Sequence, residues 1–337
     1  MNARCALPAD ATVLVTGATG FTGAVLTRKL CAAGMRVRAI ARPTSDTAPL
    51  AGLPVEWVRG DVYDPAVVAH AAEGAVFIFH LATGYRQGRS SPDYFRKVHI
   101  ESTQLLAARA AATPGFQRFV HVSTVGVHGH IEGGPADESA PFAPGDAYQA
   151  TKAEAEQWLH AHARATALPY TVIRPAAIMG PGDRRLLKLF RMAARPVFFI
   201  LGRGRSLYHL IHVDDLTDAL LTAAVHPAAL GEAFICGNAE PIALPEIGRV
   251  VARELGRPLR VVRLPAWPFF AAAAACEWIC RPLRIEPPLY RRRVAFFTKD
   301  RAFDTRKLRD VLGFVPGYTN ETGLVSTTRW YREHGWL

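Results

Sequence analysis

Short apolar runs alternate with stretches of helical periodicity through the first half of the chain. Predicted strands cover residues 11–16, 37–41, 55–59, 75–81 and 118–123. Helical stretches separate them, the longer ones at about 94–112 and 147–165. Strands that alternate with helices indicate parallel βαβ units, so we predict an α/β fold with a doubly wound parallel sheet.

A glycine-rich turn follows the first predicted strand directly and opens the first predicted helix. Its sequence is GATGFTG, with GxxGxxG rather than GxGxxG spacing. Glycines permit a tight turn and close approach of a pyrophosphate to the backbone, and the helix N-terminus offers free N–H groups to the anion. The context predicts a Rossmann-type dinucleotide site. Its candidate contacts are Gly17, Thr19, Gly20, Phe21, Thr22 and Gly23.

The second predicted strand ends at Arg42, where an NAD-specific site usually carries Asp or Glu for the ribose 2′-hydroxyl. A guanidinium instead pairs well with a 2′-phosphate. We therefore favour NADP(H) as the cofactor. Asp46, four residues later, keeps NAD(H) open.

A tyrosine and a lysine stand four residues apart, at Tyr148 and Lys152, where the second long helix begins. That spacing places both side chains on one helix face. A nearby ammonium lowers the pKa of a phenol and makes it a usable general acid/base. A hydroxyl at the end of the fifth strand can hold the substrate oxygen against the phenol. Thr124 is the first candidate for that hydroxyl and Ser123 the second.

Together these motifs resemble the extended short-chain dehydrogenase/reductase family, also called the NAD-dependent epimerase/dehydratase family. The resemblance spans roughly residues 12–216. The matching stretches are Thr16–Gly23, Gly60–Val62, His80–Ala82, Ser123–Thr124, Tyr148–Lys152, Arg174–Pro181 and Ile211–Asp215.

The resemblance also assigns candidate roles to individual residues. It implies that Asp61 and Val62 hold the adenine, and that Leu81 and Ala82, with Thr83 beside them, line the cofactor. It implies that Pro175 and the backbone after it, as far as Ile178, meet the nicotinamide. Thr124, Tyr148 and Lys152 match the catalytic triad. Tyr148 and Lys152 are also candidate cofactor contacts, because Lys152 can donate hydrogen bonds to the nicotinamide ribose.

Departures from the family pattern narrow the range of expected reactions and substrates. Dehydratases follow the catalytic Thr with an acid and a base, but Val125 and Gly126 stand here, so dehydration is not expected. Epimerases typically contact a diphosphate through Asn and Arg at the positions of Ala177 and Tyr208, although Arg203 and Arg205 lie near enough to compensate. His99 and Ser102 replace residues that are often Asn and Gly.

An apolar stretch at 265–293 precedes a C-terminal tail, about 296–336, that resembles bacterial relatives of 3β-hydroxysteroid dehydrogenases and sterol 4-carboxylate 3-dehydrogenases. The run 269–280 is too short to span a bilayer and contains Glu277. We interpret it as a helix that walls an apolar pocket. The alternative, suggested by Arg281, Arg284 and the arginines at 291–293, is peripheral docking on a membrane surface.

The composition and the net charge limit which partners, metal sites and cellular locations we expect. The net charge of +11 suits anionic partners, but no zinc-finger spacing, RNP-like strand or Lys-rich tail accompanies it, so we expect no nucleic-acid binding. No metal site is expected. Five scattered cysteines (5, 31, 236, 276 and 280) and a first segment without a signal-peptide core favour the cytoplasm.

We divide the chain into a Rossmann domain, residues 1–175 with 209–240 returning to it, and a smaller substrate domain, residues 176–208 and 241–337. The predicted function is NAD(P)-dependent interconversion of a secondary alcohol and a ketone on a hydrophobic substrate, such as a sterol or terpenoid. A sugar-nucleotide epimerase with tightly bound cofactor and a non-catalytic NADP-binding sensor or assembly protein remain alternatives. A homodimer through the helices near 94–112 and 148–165 is expected.

Overall fold

The structure is a computed structural model. It describes residues 8, 10–84, 91–131, 134–280, 282, 285, 287–289, 291–295 and 300–337. Five residues named above fall outside it, wholly or by their side chains: Cys5, Arg281, Arg284, Arg292 and Arg293.

Thirteen strands and twelve α-helices form within the described residues. The strands are β1 Thr12–Thr16, β2 Arg36–Ala41, β3 Val55–Arg59, β4 Phe77–His80, β5 Arg118–Val122, β6 Tyr170–Pro175, β7 Ala177–Met179, β8 Val197–Leu201, β9 Leu207–Tyr208, β10 Leu210–His212, β11 Ala233–Cys236, β12 Ile242–Ala243 and β13 Arg260–Leu264. The helices are α1 Phe21–Ala32, α2 Pro65–Ala72, α3 Pro92–Arg96, α4 Ser102–Ala111, α5 Ala147–Thr166, α6 Leu187–Ala193, α7 Val213–Val225, α8 Leu244–Glu254, α9 Trp267–Cys280, α10 Arg291–Ala295, α11 Arg306–Leu312 and α12 Asn320–Glu333. Single 3₁₀ turns lie at Ala48–Leu50, Val125–His128 and Pro227–Ala229.

Seven parallel strands form the central sheet in the order β11-β6-β5-β4-β1-β2-β3. Strands β2 and β3 are added on one side of β1, and strands β4, β5, β6 and β11 on the other. Doubly wound sheets bind ligands where the strand order reverses in this way, here between β1 and β4. The five strands predicted from the sequence are β1 to β5. The predicted fold class, a Rossmann-type doubly wound sheet, is therefore confirmed.

Helices cover both faces of this sheet. Helices α1, α7 and α11 pack on one face through side chains such as Leu26, Leu220 and Leu308. Helices α2, α4 and α5 pack on the other, with Leu106 and Leu159 fully buried. Two covered faces explain the near-continuous apolar strands, and each fully buried Leu contributes roughly 1.5–3 kcal/mol.

A second core holds the smaller unit together. Three two-stranded pairs, β7–β10, β8–β13 and β9–β12, lie with α6, α8 and α12 around buried Phe190, Phe198 and Tyr331. Helix α11 belongs by sequence to the segment that we assigned to the substrate domain. Its Leu308 and Leu312 are nevertheless buried in the same core as α1 and α7.

The helix predicted at 94–112 is interrupted by a π turn at Lys97–Glu101, between α3 and α4. A π turn inserts one extra residue and shifts the helix face that follows it. His99 lies in this turn and is 1% exposed.

Helix α9 forms one wall of an apolar cleft of about 400 Å³. Its Phe269 faces the cleft with residues of α6, β8, β13, α10 and the segment just before α10, which are Met192, Phe199, Leu201, Leu264, Leu289 and Val294. No helix among the described residues is both long and apolar enough to cross a membrane.

Candidate active site

The glycine turn after β1 has room for glycine only. Gly17 adopts φ +74°, and a Cβ there would lie 2.9 Å from the backbone nitrogen of Ala82. A Cβ on Gly23 would lie 2.0 Å from the carbonyl oxygen of Gly17. Gly20 precedes α1 without a side-chain cap, and the first turn of α1 contains no acidic residue. The positive end of the helix is therefore available to an anion, which fits the pyrophosphate of a dinucleotide.

A cleft lies over the carboxyl ends of the first four strands. Nine predicted contacts line it: Gly17, Thr19, Gly20, Arg42, Asp61, Val62, Leu81, Ala82 and Thr83. Six other lining residues were not among the predicted contacts: Ile40, Ser45, Gly60, Tyr63, Tyr94 and Val98. The remaining seven candidates are not among its lining residues: Phe21, Thr22, Gly23, Tyr148, Lys152, Pro175 and Ile178.

The rim of this cleft carries hydrogen-bond donors near Arg42. One guanidinium nitrogen of Arg42 donates to the hydroxyl of Tyr94 at 3.2 Å, and Ser45 lines the same cleft. The carboxylate of Asp46 instead accepts the backbone N–H of Ala48 at 2.9 Å. One oxygen of Asp46 therefore stabilises its own turn, and Arg42 and Ser45 are the side-chain donors on this part of the cleft.

Buried hydrogen bonds hold the end of β4 against β1. His80 Nδ1 and the hydroxyl of Thr16 are 2.8 Å apart, and that hydroxyl accepts the backbone N–H of Ala82 at 3.1 Å. Burial, with a contribution from Lys152, lowers the pKa of His80 to about 3. The imidazole is neutral at physiological pH, so it fixes the cofactor-lining loop without adding charge.

The pair of Tyr148 and Lys152 lies where α5 meets the carboxyl end of β5. Asp146 caps α5 by accepting the backbone N–H of Gln149 at 2.8 Å. One turn into the helix, the ammonium of Lys152 donates to the carbonyl oxygen of Val122 at 2.9 Å, and the side chain is almost fully buried. Burial lowers the pKa of Lys152 from 10.5 to about 8, although the nearby Glu156 carboxylate acts in the opposite direction.

The ring of Tyr148 is half-buried and packs edge-on against two aromatic rings. Its centroid lies 5.3 Å from that of His99 and 6.2 Å from that of Phe95. His99 accepts the backbone N–H of Gly84 on Nε2 at 3.0 Å. Because Nε2 accepts, the ring proton lies on Nδ1, which contacts the hydroxyl of Thr151 at 2.8 Å.

These bonds make His99 a link between the loop after β4 and the first turn of α5. Burial lowers the pKa of His99 to about 2, so the ring stays neutral. The sequence predicted only that His99 substitutes for an Asn, because its partners lie 15 and 52 residues away.

The two candidate hydroxyls at the end of β5 have different surroundings. Ser123 is buried and donates to a carboxylate oxygen of Glu156 at 2.5 Å. Thr124 is partly buried and accepts the backbone N–H of Gly126 at 3.1 Å, which leaves its own hydroxyl hydrogen to donate. The geometry thus favours Thr124 for a substrate oxygen and gives Ser123 a structural bond.

Glu156 and Arg174 form a buried ion pair behind the site. Arg174 donates to one oxygen of Glu156 through two nitrogens, at 2.9 and 2.6 Å, and also donates to the carbonyl oxygen of Glu138. Burial alone raises the pKa of Glu156, but hydrogen bonds from His160, Arg174 and Ser123 outweigh it and lower the pKa. The pair ties α5 to β6, which fixes the helix that carries Lys152.

Residues 13–237 match the family model "NAD dependent epimerase/dehydratase family". The chain belongs to this family. It is accordingly an enzyme of an NAD(P)-dependent oxidoreductase family, and the resemblance inferred from its motifs is confirmed.

Members of the epimerase/dehydratase family with curated names match nearly the whole chain. It is 32% identical over 329 residues to the 2-alkyl-3-oxoalkanoate reductase of Stenotrophomonas maltophilia, covering 93% of this chain and 97% of that one. It is 29% identical to sterol demethylase protein B of Methylococcus capsulatus, covering 97% and 100%. It is 30% identical to the 3 beta-hydroxysteroid dehydrogenase/Delta 5-->4-isomerase of Mycobacterium tuberculosis, covering 95% and 90%.

Solved structures of the family share the fold. The crystal structure of gox2253 superposes with a TM-score of 0.82 at 30% identity and covers 97% of this chain and 99% of that one. The UDP-glucose 4-epimerase of Thermus thermophilus in complex with NAD has a TM-score of 0.74 at 21% identity, covering 95% and 99%.

The position where epimerases of the family carry a diphosphate-binding arginine has a different arrangement. Tyr208 is buried there, burial raises its pKa to about 12, and the guanidinium of Arg301 lies 5.6 Å above its ring. Arg203 and Arg205, expected to compensate, are exposed. A positive charge is thus present, but it comes from Arg301, a residue that the motif spacing did not identify.

Proposed function

We propose that this enzyme interconverts a secondary alcohol and a ketone on a hydrophobic substrate of the sterol or terpenoid class. The observation that supports the proposal most is the buried Lys152 ammonium beside the end of β5, one helical turn from Tyr148. The two residues after Thr124, Val125 and Gly126, provide neither an acid nor a base. Such a site exchanges one proton but has no pair of groups to remove water. An apolar cleft in the second unit supports a hydrophobic substrate.

The chain's own residues divide the work in this mechanism. The lining residues from Gly17 to Thr83 would hold a nicotinamide dinucleotide, which supplies hydride-transfer chemistry when bound. Tyr148 takes a proton from the alcohol in oxidation and returns it in reduction. Lys152 stabilises the phenolate electrostatically, and Thr124 donates a hydrogen bond to the substrate oxygen.

The cofactor that the rim of the cleft suits best is NADP(H). Arg42 and Ser45 offer donors to a 2′-phosphate, whereas Asp46 is engaged by Ala48. The thiols of the described cysteines Cys31, Cys236, Cys276 and Cys280 are free, which supports a reducing, cytoplasmic location.

Purified protein tests the reaction with NADP(H) and NAD(H) on 3β-hydroxysteroids, terpenoid alcohols and 2-alkyl-3-oxoalkanoates. We expect turnover of at least one class and a loss of kcat by a factor of about 10² or more in Tyr148→Phe, because proton transfer loses its donor. Tyr318→Phe, at a tyrosine that does not line the cleft, is the matched control and should keep full activity. Retained cofactor binding by Tyr148→Phe shows that the site is intact.

The sugar-nucleotide alternative is tested in the same assay. Arg301 above Tyr208 favours it, so UDP-glucose belongs in the panel. If the enzyme turned over UDP-glucose and none of the hydrophobic compounds, its substrate would be a sugar nucleotide and the proposed substrate class would be wrong. Equal activity of Tyr148→Phe and wild type would remove the mechanism.

A further inference from the structure

Helix α9 presents a face without a single charged side chain to the solvent. Of its fourteen residues only Ala273 is buried. Its exposed positions are Trp267, Ala271, Ala272, Ala275, Trp278 and Ile279. At about 100° per residue they lie within roughly 140° of the helix circumference. The two tryptophans, 74% and 79% exposed, stand near opposite ends of this apolar face.

A solvent-facing helix surface is normally polar. Among the described residues, two further large apolar side chains are exposed in segments next to α9. Phe199 of β8 is 51% exposed and Ile285, just after α9, is 58% exposed. Phe199 also lines the apolar cleft with Phe269, so the cleft reaches the surface beside α9. An apolar, solvent-exposed helix face of this kind marks an interaction surface.

The charge around α9 indicates the partner. Residues 257–293 contain eight Lys and Arg but only two Asp and Glu, so more than half of the net charge of +11 arises there. Arg260 and Arg263 of β13 are exposed, and so is Arg291, whose guanidinium is 3.7 Å from Glu277. A second copy of the chain would bring two such basic regions together, which is unfavourable.

We propose that the apolar face of α9 docks in the interfacial region of an anionic phospholipid membrane. A fourteen-residue helix is too short to span a bilayer but suits a position parallel to its surface. Tryptophan rings prefer the boundary between headgroups and acyl chains. The surrounding arginines contact anionic headgroups, which increases binding at low salt. This docking does not depend on the proposed reaction.

Sedimentation of the full chain with lipid vesicles tests the proposal. We expect binding to phosphatidylcholine vesicles containing about 30% phosphatidylglycerol, weaker binding to phosphatidylcholine alone, and release at about 0.5 M NaCl. The double variant Trp267→Gln/Trp278→Gln should bind at least about tenfold more weakly. The matched control Leu230→Gln/Val315→Gln removes two exposed apolar side chains elsewhere and should bind like wild type.

Both variants alter exposed side chains, so their melting temperatures should equal that of wild type and report folding. Three results would overturn the proposal. They are no vesicle binding by wild type, equal binding by the tryptophan variant, and conversion of a wild-type dimer to a monomer by the tryptophan variant. The last would assign the face to a second copy of the chain. None of these readouts involves catalysis, so they are independent of the proposed function.

Discussion

At the level of single residues, the proposed preference for NADP(H) depends on the side chain of Arg42. It donates to Tyr94 and lines the cofactor cleft with Ser45, and one oxygen of the nearby Asp46 accepts the backbone N–H of Ala48. A planar guanidinium recognises a phosphate through charge-assisted hydrogen bonds.

We expect Arg42→Asp to reverse the cofactor preference. The variant should bind NADP⁺ at least about tenfold more weakly, since a charge-assisted bond contributes roughly 1.5–3 kcal/mol. It should bind NAD⁺ as well as wild type or better. Fluorescence titration with both nucleotides measures this. Arg59→Asp is a nearby exposed control. An unchanged preference in Arg42→Asp would show that other residues read the ribose.

The burial of Lys152 makes the stability of the folded protein depend on pH. Burial lowers its pKa from 10.5 to about 8 in the folded protein. Between these values the unfolded chain carries the proton and the folded chain does not. Raising the pH through this window therefore increases stability, because the proton-binding advantage of the unfolded chain disappears.

The free energy of unfolding of wild type, relative to Lys152→Met, should rise by up to roughly 3 kcal/mol from about pH 8 to about pH 10.5. Urea denaturation at both pH values measures it. Relative to Lys188→Met, which alters an exposed lysine and keeps Lys152, wild type should show no such rise. A constant difference between wild type and Lys152→Met would mean that the folded protein keeps the ordinary lysine pKa.

At the level of elements, the π turn decides how α5 meets the cofactor cleft. It directs His99 inward, where one ring nitrogen accepts from Gly84 after β4 and the other contacts Thr151 of α5. The same ring packs against Tyr148. The turn thus couples the loop that lines the cofactor to the helix that carries the phenol.

We expect His99→Phe to lower kcat by about tenfold or more, because the ring contacts remain but both hydrogen bonds are lost and Tyr148 shifts. An unpaired buried N–H should also cost about 1–3 kcal/mol of stability. His99→Asn keeps an acceptor and a donor and should recover much of the activity. Steady-state kinetics and thermal denaturation separate the two effects. Equal kcat in both variants and wild type would contradict a positioning role.

The sequence predicted the elements that carry the site better than the residues between them. The glycine turn, β5 and α5 were predicted because their signals are local, from spacing within a few residues. The π turn was missed, since apolar periodicity at 94–112 fits an unbroken helix. Ser45 and Tyr94 were missed because only folding brings the loop after β2 and helix α3 to one cleft.

For the whole molecule, we propose a homodimer through the outer surfaces of α4 and α5. The exposed positions of α5 include Ala147, Ala150, Ala161 and Ala165, and such small side chains let a partner helix approach closely. Light scattering after gel filtration should give twice the chain mass of 36.8 kDa.

Ala161→Glu should shift the dimer toward monomer, because a carboxylate would be buried at the interface. Ala32→Glu lies on α1, on the opposite side of the sheet, and should leave the mass unchanged. A wild-type monomer would contradict the proposal directly, and a dimeric Ala161→Glu would place the interface elsewhere.

The sequence alone determined the parallel sheet, the dinucleotide turn, and a phenol and an ammonium on one helix face. Each of these features follows from the pattern of residues over two to seven neighbouring positions. Only the tertiary structure decided which side chains meet across long stretches of chain. It joined Glu156 to Arg174, His99 to Gly84 and Thr151, and Tyr208 to Arg301. It also left one apolar face of α9 exposed, which the sequence could not distinguish from a buried one, since burial depends on what packs against a helix.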